Sequence, residues 1–515
     1  MNKNIQLFSC AHKNNSFISE DNTESKVCFL FKRGLDAAAA VAAAVLFTAL
    51  FISVKRTIGF DDESYYLTIV QRLFQGDLLL VHEWGVEQLA SLFLIIPYKI
   101  FVFLTGSTDG IILAFRYFFL CIDAVFFLFM YRKLRRFGVP GLIATVLFCG
   151  IMPGTGAVLN YYTISLMGFM MICLLHFTDD REQSVSMYIF TGIIWAVAIL
   201  GEPPLILTYP VYLICFIIYS LNQKRKKEEP APSMLFFEKK AAAFISVGGW
   251  SVFALFMGSL ILSGSFRHLP ETALFLASDT GYSASDIIDI GKLLQTADLF
   301  GLPNMIALIV LYTLTILFII IQKRKQTEGL SINIFRHLLC ICSCTLLCSS
   351  YIYAFIKIIS DVHNWYAFIA YHGFVFLMII PIWYFVLKER NKKLLIFWLS
   401  TFAYSFFVDI ASDWVLGLGG HIAVVPGVLI FAEMWKETDI LEFKIKAKHK
   451  NKNKRRIKET KISNGSIIKL QKIVSGVCAI LFLLCGIAYI GTERFYPLWE
   501  KRQQQYLLHD KHRTL

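Results

Sequence analysis

AAAAVAAAVLFTALFISVKRTI, residues Ala37–Ile58, runs directly into GFDDESYY, residues 59–66. The first stretch is long enough to cross a hydrocarbon core as an α-helix, which takes about 20 apolar residues. It is too long for the apolar part of a cleaved leader, and the residues before it (Asn2 to Lys26) are polar and mixed, so it reads as a retained first span. The second stretch places Asp61, Asp62 and Glu63 where that crossing ends.

Runs like the first recur to residue 490. Of 515 residues, 56% are hydrophobic and only 17% charged, against about a quarter charged in a typical soluble chain. The mean hydropathy is +0.59. These values point to an all-α polytopic membrane protein.

The net charge of +13 raises the question of nucleic acid, and its distribution answers it. Basic residues gather between apolar runs, at Arg132–Arg136, Lys224–Lys227, Lys323–Lys325, Lys388–Lys393 and Lys436–Lys461. That is the pattern of cytoplasmic loops, whose lysines meet anionic lipid, so no nucleic-acid partner is expected. With these clusters inside, spans fall at 35–58, 108–131, 140–158, 163–178, 186–202, 204–221, 241–262, 303–321, 336–356, 366–387, 394–410, 420–435 and 467–490. The expectation is about 13 transmembrane helices, with the N-terminus inside and the C-terminus outside.

Gln88–Thr105 is apolar too, but carries Pro97 and Lys99 in its middle. If it crossed, the acids at 61–63 and the basic cluster at 132–136 would share a side. It is therefore read as an interfacial or re-entrant helical segment on the outer face. The resulting organisation is a cytoplasmic tail (1–34), a membrane domain (35–435) with outer loops at 59–107 and 263–302, a basic cytoplasmic loop (436–466), a last span (467–490) and an external C-terminal tail (491–515).

Three adjacent carboxylates beside a membrane have two readings. One is a solvated helix start, favoured by the helix dipole. The other is a proton acceptor, since mutual repulsion and partial burial raise at least one carboxyl toward neutral pH. Beyond the acids come an amphipathic segment (Tyr65–Phe74), the turn Gly76-Asp77, then His82-Glu83-Trp84, and finally Arg116 at the head of the next span. Arg116 is the best candidate for meeting an anionic group, because guanidinium holds an oxyanion in bidentate fashion. Arg267, His363 and His421, at expected outer ends, are weaker candidates, as are His268 and Lys357.

Taken together, the motifs of residues 35–220 resemble the GT-C superfamily of membrane glycosyltransferases, and within it the protein O-mannosyltransferase and aminoarabinose-transferase group. Asp62-Glu63-Ser64-Tyr65-Tyr66 matches the family's Asp-Glu-x-x-Tyr motif in the first external loop. Gly76-Asp77, Arg116, the 132–136 cluster and the small-apolar run 198–204 also match. The resemblance implies transfer of a sugar from a polyprenyl-phosphate donor to an envelope glycan, lipid or protein acceptor on the non-cytoplasmic face. It makes Asp62 the candidate base, Glu63 its neighbour in tuning or orienting, and Asp61 the second choice. Arg116, and more weakly His421, Arg267 and His363, become candidates for the donor phosphate, and Tyr66, His82, Glu83 and Trp84 candidate substrate contacts. The chain departs from the pattern at Glu202, where relatives carry a basic residue, at His421 in place of an arginine, and at the acid-free loop Asn160–Thr163.

Two further features are weighed. Cys340, Cys344 and Cys348 share a helical face, as a metal or redox cluster or, preferably, as small packing residues. No cofactor is expected, and a divalent metal is compatible with the superfamily. The alternative function is a transporter or flippase for a polar or lipid-linked substrate. Such a protein is expected to pair two broken-helix halves near the midplane, and no such pairing is visible.

Overall fold

Where water is absent, a backbone must satisfy its own N–H and C=O groups, and apolar runs of this length fold as helices. The computed structural model describes residues 22–54, 62–83, 85–150, 159–178, 183–226, 232–278, 302–324, 330–360, 365–411, 418–450 and 458–495. Among these residues the regular structure is helical throughout, without a strand. Eight helical stretches are long and apolar enough to cross a membrane, and seven of them coincide with expected spans. The eighth is Gln88–Thr105. Four more expected spans, at 140–158, 163–178, 186–202 and 366–387, contain shorter apolar helices of 10–17 residues.

The chain divides into two compact units, residues 1–288 with 490–515, and residues 289–489. In the first unit the α-helices are α1 (Asn22–Val54), α2 (Asp62–Phe74), α3 (Ile95–Thr105), α4 (Ile111–Leu134), α5 (Val139–Gly150), α6 (Tyr161–Phe177), α7 (Val185–Gly201), α8 (Thr208–Lys226), α9 (Lys239–Ser263) and α10 (Leu269–Ser278).

α1 and α4 lie antiparallel, tied at both ends. At one end Arg116 Nη1 donates to the carbonyl of Val54 at 2.7 Å. At the other, Tyr131 Oη donates to Asp36 Oδ1 at 2.8 Å, and Arg135 pairs with the second oxygen of Asp36. The chain between Val54 and Arg116 therefore leaves and returns at the same end of this helix pair.

That returning chain forms a cap. The buried face of α2 (Tyr66, Leu67, Val70) packs with Ala90, Leu94 and Tyr98 onto Ile111 and Phe115 of α4 and Ile164 of α6. A second cluster joins Leu79, Leu80 and Leu89 to Leu260 near the end of α9. The 3-10 segment Val86–Leu94 thus lies across the ends of α6, α7 and α9. The basic ends of α4 (Arg132, Lys133) and α9 (Lys239, Lys240) are the ends remote from this cap.

Beneath the cap, α7 and α9 approach closely enough to exclude side chains. A Cβ on Gly192 would lie 2.0 Å from the carbonyl oxygen of Ile245, and one on Gly248 would lie 2.1 Å from that of Ile189. Glycine at the crossing lets two membrane helices gain backbone-level packing.

The second unit comprises α11 (Leu302–Arg324), α12 (Leu330–Ser360), α13 (Trp365–Val386), α14 (Lys392–Ala411), α15 (Val424–Lys450) and α16 (Lys458–Phe495). Polar contacts stitch these helices together. Trp383 Nε1 donates to Ser343 Oγ at 3.0 Å, and Tyr312 Oη donates to the carbonyl of Met378 at 2.7 Å. Glu437 accepts from the backbone N–H groups of Lys388 and Glu389 at 2.9 and 3.1 Å, holding the α13–α14 turn against α15. Burial raises the Glu437 carboxyl, and those two donors partly offset the shift.

Two stretches assigned to the cytoplasmic side are partly helical. The tail before residue 35 belongs to α1 from Asn22, and the basic stretch 436–466 is helix over 436–450 and 458–466. Lysine and glutamate are good helix formers, and a helix already nucleated in the membrane propagates outward at little cost.

Valine at Gly192 or Gly248 is expected to destabilise the solubilised protein, at an overpacking cost of about 1–3 kcal/mol. Alanine at the adjacent Gly249, whose added Cβ would meet only the Gly192 oxygen at 3.5 Å, should be tolerated. Thermal unfolding of the three variants measures this; equal melting temperatures would mean that the α7–α9 crossing is looser than drawn.

Candidate functional site

Tyr66 of the acidic motif and Phe115, next to Arg116, lie in one buried cluster at the cap. α2 begins at Asp62, so Asp62 and Glu63 form its first turn, and Tyr66 lies one turn further along. Tyr66 is 1% exposed and packs in the same cluster as Phe115, the residue preceding Arg116. Arg116 is itself 5% exposed. It donates to the carbonyl of Val54, the last described residue of α1.

The second half of the cap is organised by Arg72, a residue that no sequence motif marks. Arg72 Nε donates to Asp77 Oδ2 at 2.5 Å, Nη1 to Glu83 Oε2 at 3.4 Å and Nη2 to the carbonyl of His82 at 3.1 Å. The hydrogen bond to Asp77 is the main cause that raises the Arg72 pKa above its ordinary value, so the guanidinium stays charged. Its side chain is 35% exposed, and such a pair contributes at most ~1 kcal/mol; its role is geometric. The one signal in the sequence is a basic residue five positions before Asp77 of the Gly76-Asp77 turn.

His82 Nδ1 accepts from the backbone N–H of Leu78 at 2.8 Å, while Asp77 Oδ1 lies 3.5 Å from the same nitrogen. Protonating Nδ1 for the carboxylate would break the Leu78 bond. The shorter contact assigns Nδ1 as the acceptor of the Leu78 bond.

Loop 77–85 is pinned at Leu80, the one non-glycine with positive φ (63°) among the described residues. A side chain in this left-handed region costs on the order of 1 kcal/mol or more, so neighbouring structure must hold it. Gln88, 1% exposed, accepts from the Leu80 N–H at 3.0 Å and donates to the carbonyls of Glu83 and Gly85 at 2.7 and 2.8 Å. From the other side Thr272 Oγ1, on α10, donates to the Leu80 carbonyl. The loop then returns along α2, where a Cβ on Gly85 would lie 3.2 Å from Tyr65 Oη.

The expected site residues therefore separate into groups. Tyr66 shares a buried cluster with Phe115, the residue before Arg116. His82 and Glu83 gather around Arg72, ~15 Å along α2 from Asp62 at 1.5 Å per residue. Arg267 is exposed in the short turn Ser265–His268 that precedes α10, on the same side of the unit as the cap. His421 is 5% exposed in the second unit, in the 3-10 turn Leu418–Ala423. The buried Asp409 supports that turn, accepting from Gly419 N–H and Ser405 Oγ at 2.8 and 2.9 Å. Asp61, Trp84 and His363 lie outside the described residues, as do the side chains of Asp62 and Glu63. Among the described residues no group of three metal-ligating side chains is found.

Two departures from the family pattern acquire structural roles. Asn160 Oδ1 accepts from the Thr163 N–H at 2.8 Å, and Thr163 Oγ1 from the Asn160 N–H at 3.0 Å. The acid-free loop is thus a capping box that starts α6. Glu202 is buried at the C-cap of α7, where the Pro203-Pro204 turn begins.

No protein-family model, no curated protein and no solved structure matches the chain.

Gln88→Leu should strip three hydrogen bonds and Thr272→Val two, those to Leu80 and His268, each broken bond costing about 1–3 kcal/mol where it is buried. Because both restrain Leu80, the pair should be non-additive by roughly 0.5–3 kcal/mol in a double-mutant cycle of unfolding. Simple additivity would show that Leu80 is not their common anchor.

Proposed function

We propose that this protein is a GT-C-type glycosyltransferase. It would move a sugar from a polyprenyl-phosphate donor to an envelope glycan, lipid or protein acceptor at the non-cytoplasmic face of the cell membrane. The observation that carries the reading is the convergence of the Asp62–Tyr66 turn with Arg116 in one cap, through Tyr66 and Phe115.

An acceptor hydroxyl must lose a proton as it attacks, and a carboxylate within hydrogen-bond reach takes it. Asp62 is assigned this role, with Glu63 orienting the acceptor and Asp61 as the reserve base. The departing polyprenyl phosphate gathers negative charge and needs a fixed cation. Arg116, anchored on the Val54 carbonyl, supplies one. His82 and Glu83, held by Arg72, form the wall of the acceptor side.

Charge supports the sidedness. The basic helix ends lie away from the cap, and such ends face the cytoplasm. A segment that leaves and returns at one end makes no single crossing, so Gln88–Thr105 is assigned to the outer interface. With thirteen spans, the N-terminus is inside and the C-terminus outside.

Asp62→Asn should lower sugar incorporation from a labelled polyprenyl-phosphate sugar by at least ~100-fold, the scale of general-base catalysis, without altering membrane insertion. Undiminished transfer would remove Asp62 from the role, and parallel assays with a chelator would separate metal-assisted from metal-free transfer. Cysteine at the exposed Ser64 should react with an impermeant maleimide added outside, above the level of the parent protein. Labelling only after the cytoplasmic side is opened would overturn sidedness and mechanism together.

A further inference from the structure

A groove of about 720 Å³ lies between the C-terminal half of α2 and the length of α3. Gln71, Phe74 and Gln75 form one wall; Tyr98, Lys99, Ile100, Val102, Phe103 and Leu104 form the other. The Phe74 and Tyr98 rings lie 5.6 Å apart, and the Lys99 ammonium sits over the Phe74 ring at 4.7 Å. Lys99 is the only charged residue in the lining.

The groove opens onto an apolar face. Ile96, Ile100, Phe103 and Leu104 recur at i, i+4, i+7 and i+8 and are 70%, 54%, 87% and 74% exposed. Three of the four also line the groove. A stripe of this exposure on a membrane-embedded chain is covered by hydrocarbon, and at 1.5 Å per residue α3 rises ~16 Å, about the depth of one leaflet. The polar groups Gln71, Gln75 and Lys99 are where a lipid headgroup would meet such a chain.

We propose that the groove holds one acyl chain of an anionic phospholipid, with its phosphate paired to Lys99 and flanked by the amides of Gln71 and Gln75. The occupant is a bilayer lipid, distinct from the sugar donor, and the site stands whether or not the protein transfers sugar. Charge selects the headgroup: the lining offers one cation and no carboxylate. Length and apolarity select the chain.

The test uses the full-length protein carrying benzoylphenylalanine at Val102, in the groove, or at Leu113, an exposed residue of α4 outside it. Each is reconstituted in vesicles of equimolar phosphatidylcholine and phosphatidylglycerol, irradiated, and its adducts identified by mass spectrometry. At position 102, phosphatidylglycerol adducts should exceed phosphatidylcholine adducts about fivefold, the preference expected from one lysine beside an anionic lipid. Lys99→Gln should bring the ratio near unity while lipid adducts persist, and position 113 should show no headgroup preference. Equal yields at position 102, a preference that survives Lys99→Gln, or adducts to protein in place of lipid would each overturn the proposal. Lys99 is exposed and outside the sites assigned to sugar transfer, so a misfolded variant is not the expected outcome.

Discussion

The antiparallel pairing of α1 with α4 constrains everything built on the first unit. Arg116 holds the last carbonyl of α1 at one end, and Asp36 gathers Tyr131 and Arg135 at the other. With both ends fixed, the chain between Val54 and Arg116 has to return to where it started. That stretch includes an apolar run long enough to cross. Its length is used laterally, as a 3-10 segment laid over the ends of α6, α7 and α9 and a short helix that carries an apolar stripe outward. The cap is thus a consequence of helix pairing as much as of its own sequence.

Within the cap, a few polar residues hold the backbone. Gln88, Thr272 and Arg72 hold it: together they restrain the left-handed Leu80 and gather Asp77, His82 and Glu83. Leu80 cannot keep that conformation unaided, and its two anchors come from residues 8 and 192 positions away. The link to α10 also joins the first loop to the connection that follows α9. Arg116 holds the backbone as well, through its bond to the Val54 carbonyl.

Much of this architecture is legible in the chain. Apolar length alone marks the helices, because a backbone without water has no other way to satisfy its polar groups. Seven long apolar helices and the amphipathic helix after the acids follow from composition, charge and spacing, while Gln88–Thr105, read as interfacial, is itself long and apolar enough to cross. The capping box at Asn160 is equally present, as an Asn-x-x-Thr spacing before an apolar run. The family pattern asks that loop for an acid, and the cap is easily passed over on that account. Helix in 436–466 is hidden because a dense basic stretch reads as loop, although lysine favours helix once a neighbouring span has nucleated it.

Sequence by itself determined that the chain is helical and apolar enough for a membrane, and which residues carry charge and where along the chain. Those properties are local, set by each segment's own hydropathy and hydrogen-bonding needs. Tertiary structure alone decided that Arg72 is a hub, that Leu80 is strained, that Gly192 and Gly248 are crossing points, and that Tyr66 and Phe115 share a core. Each of these depends on a partner that the local pattern does not name, and the pairing exists only once α1, α4, α7 and α9 have packed.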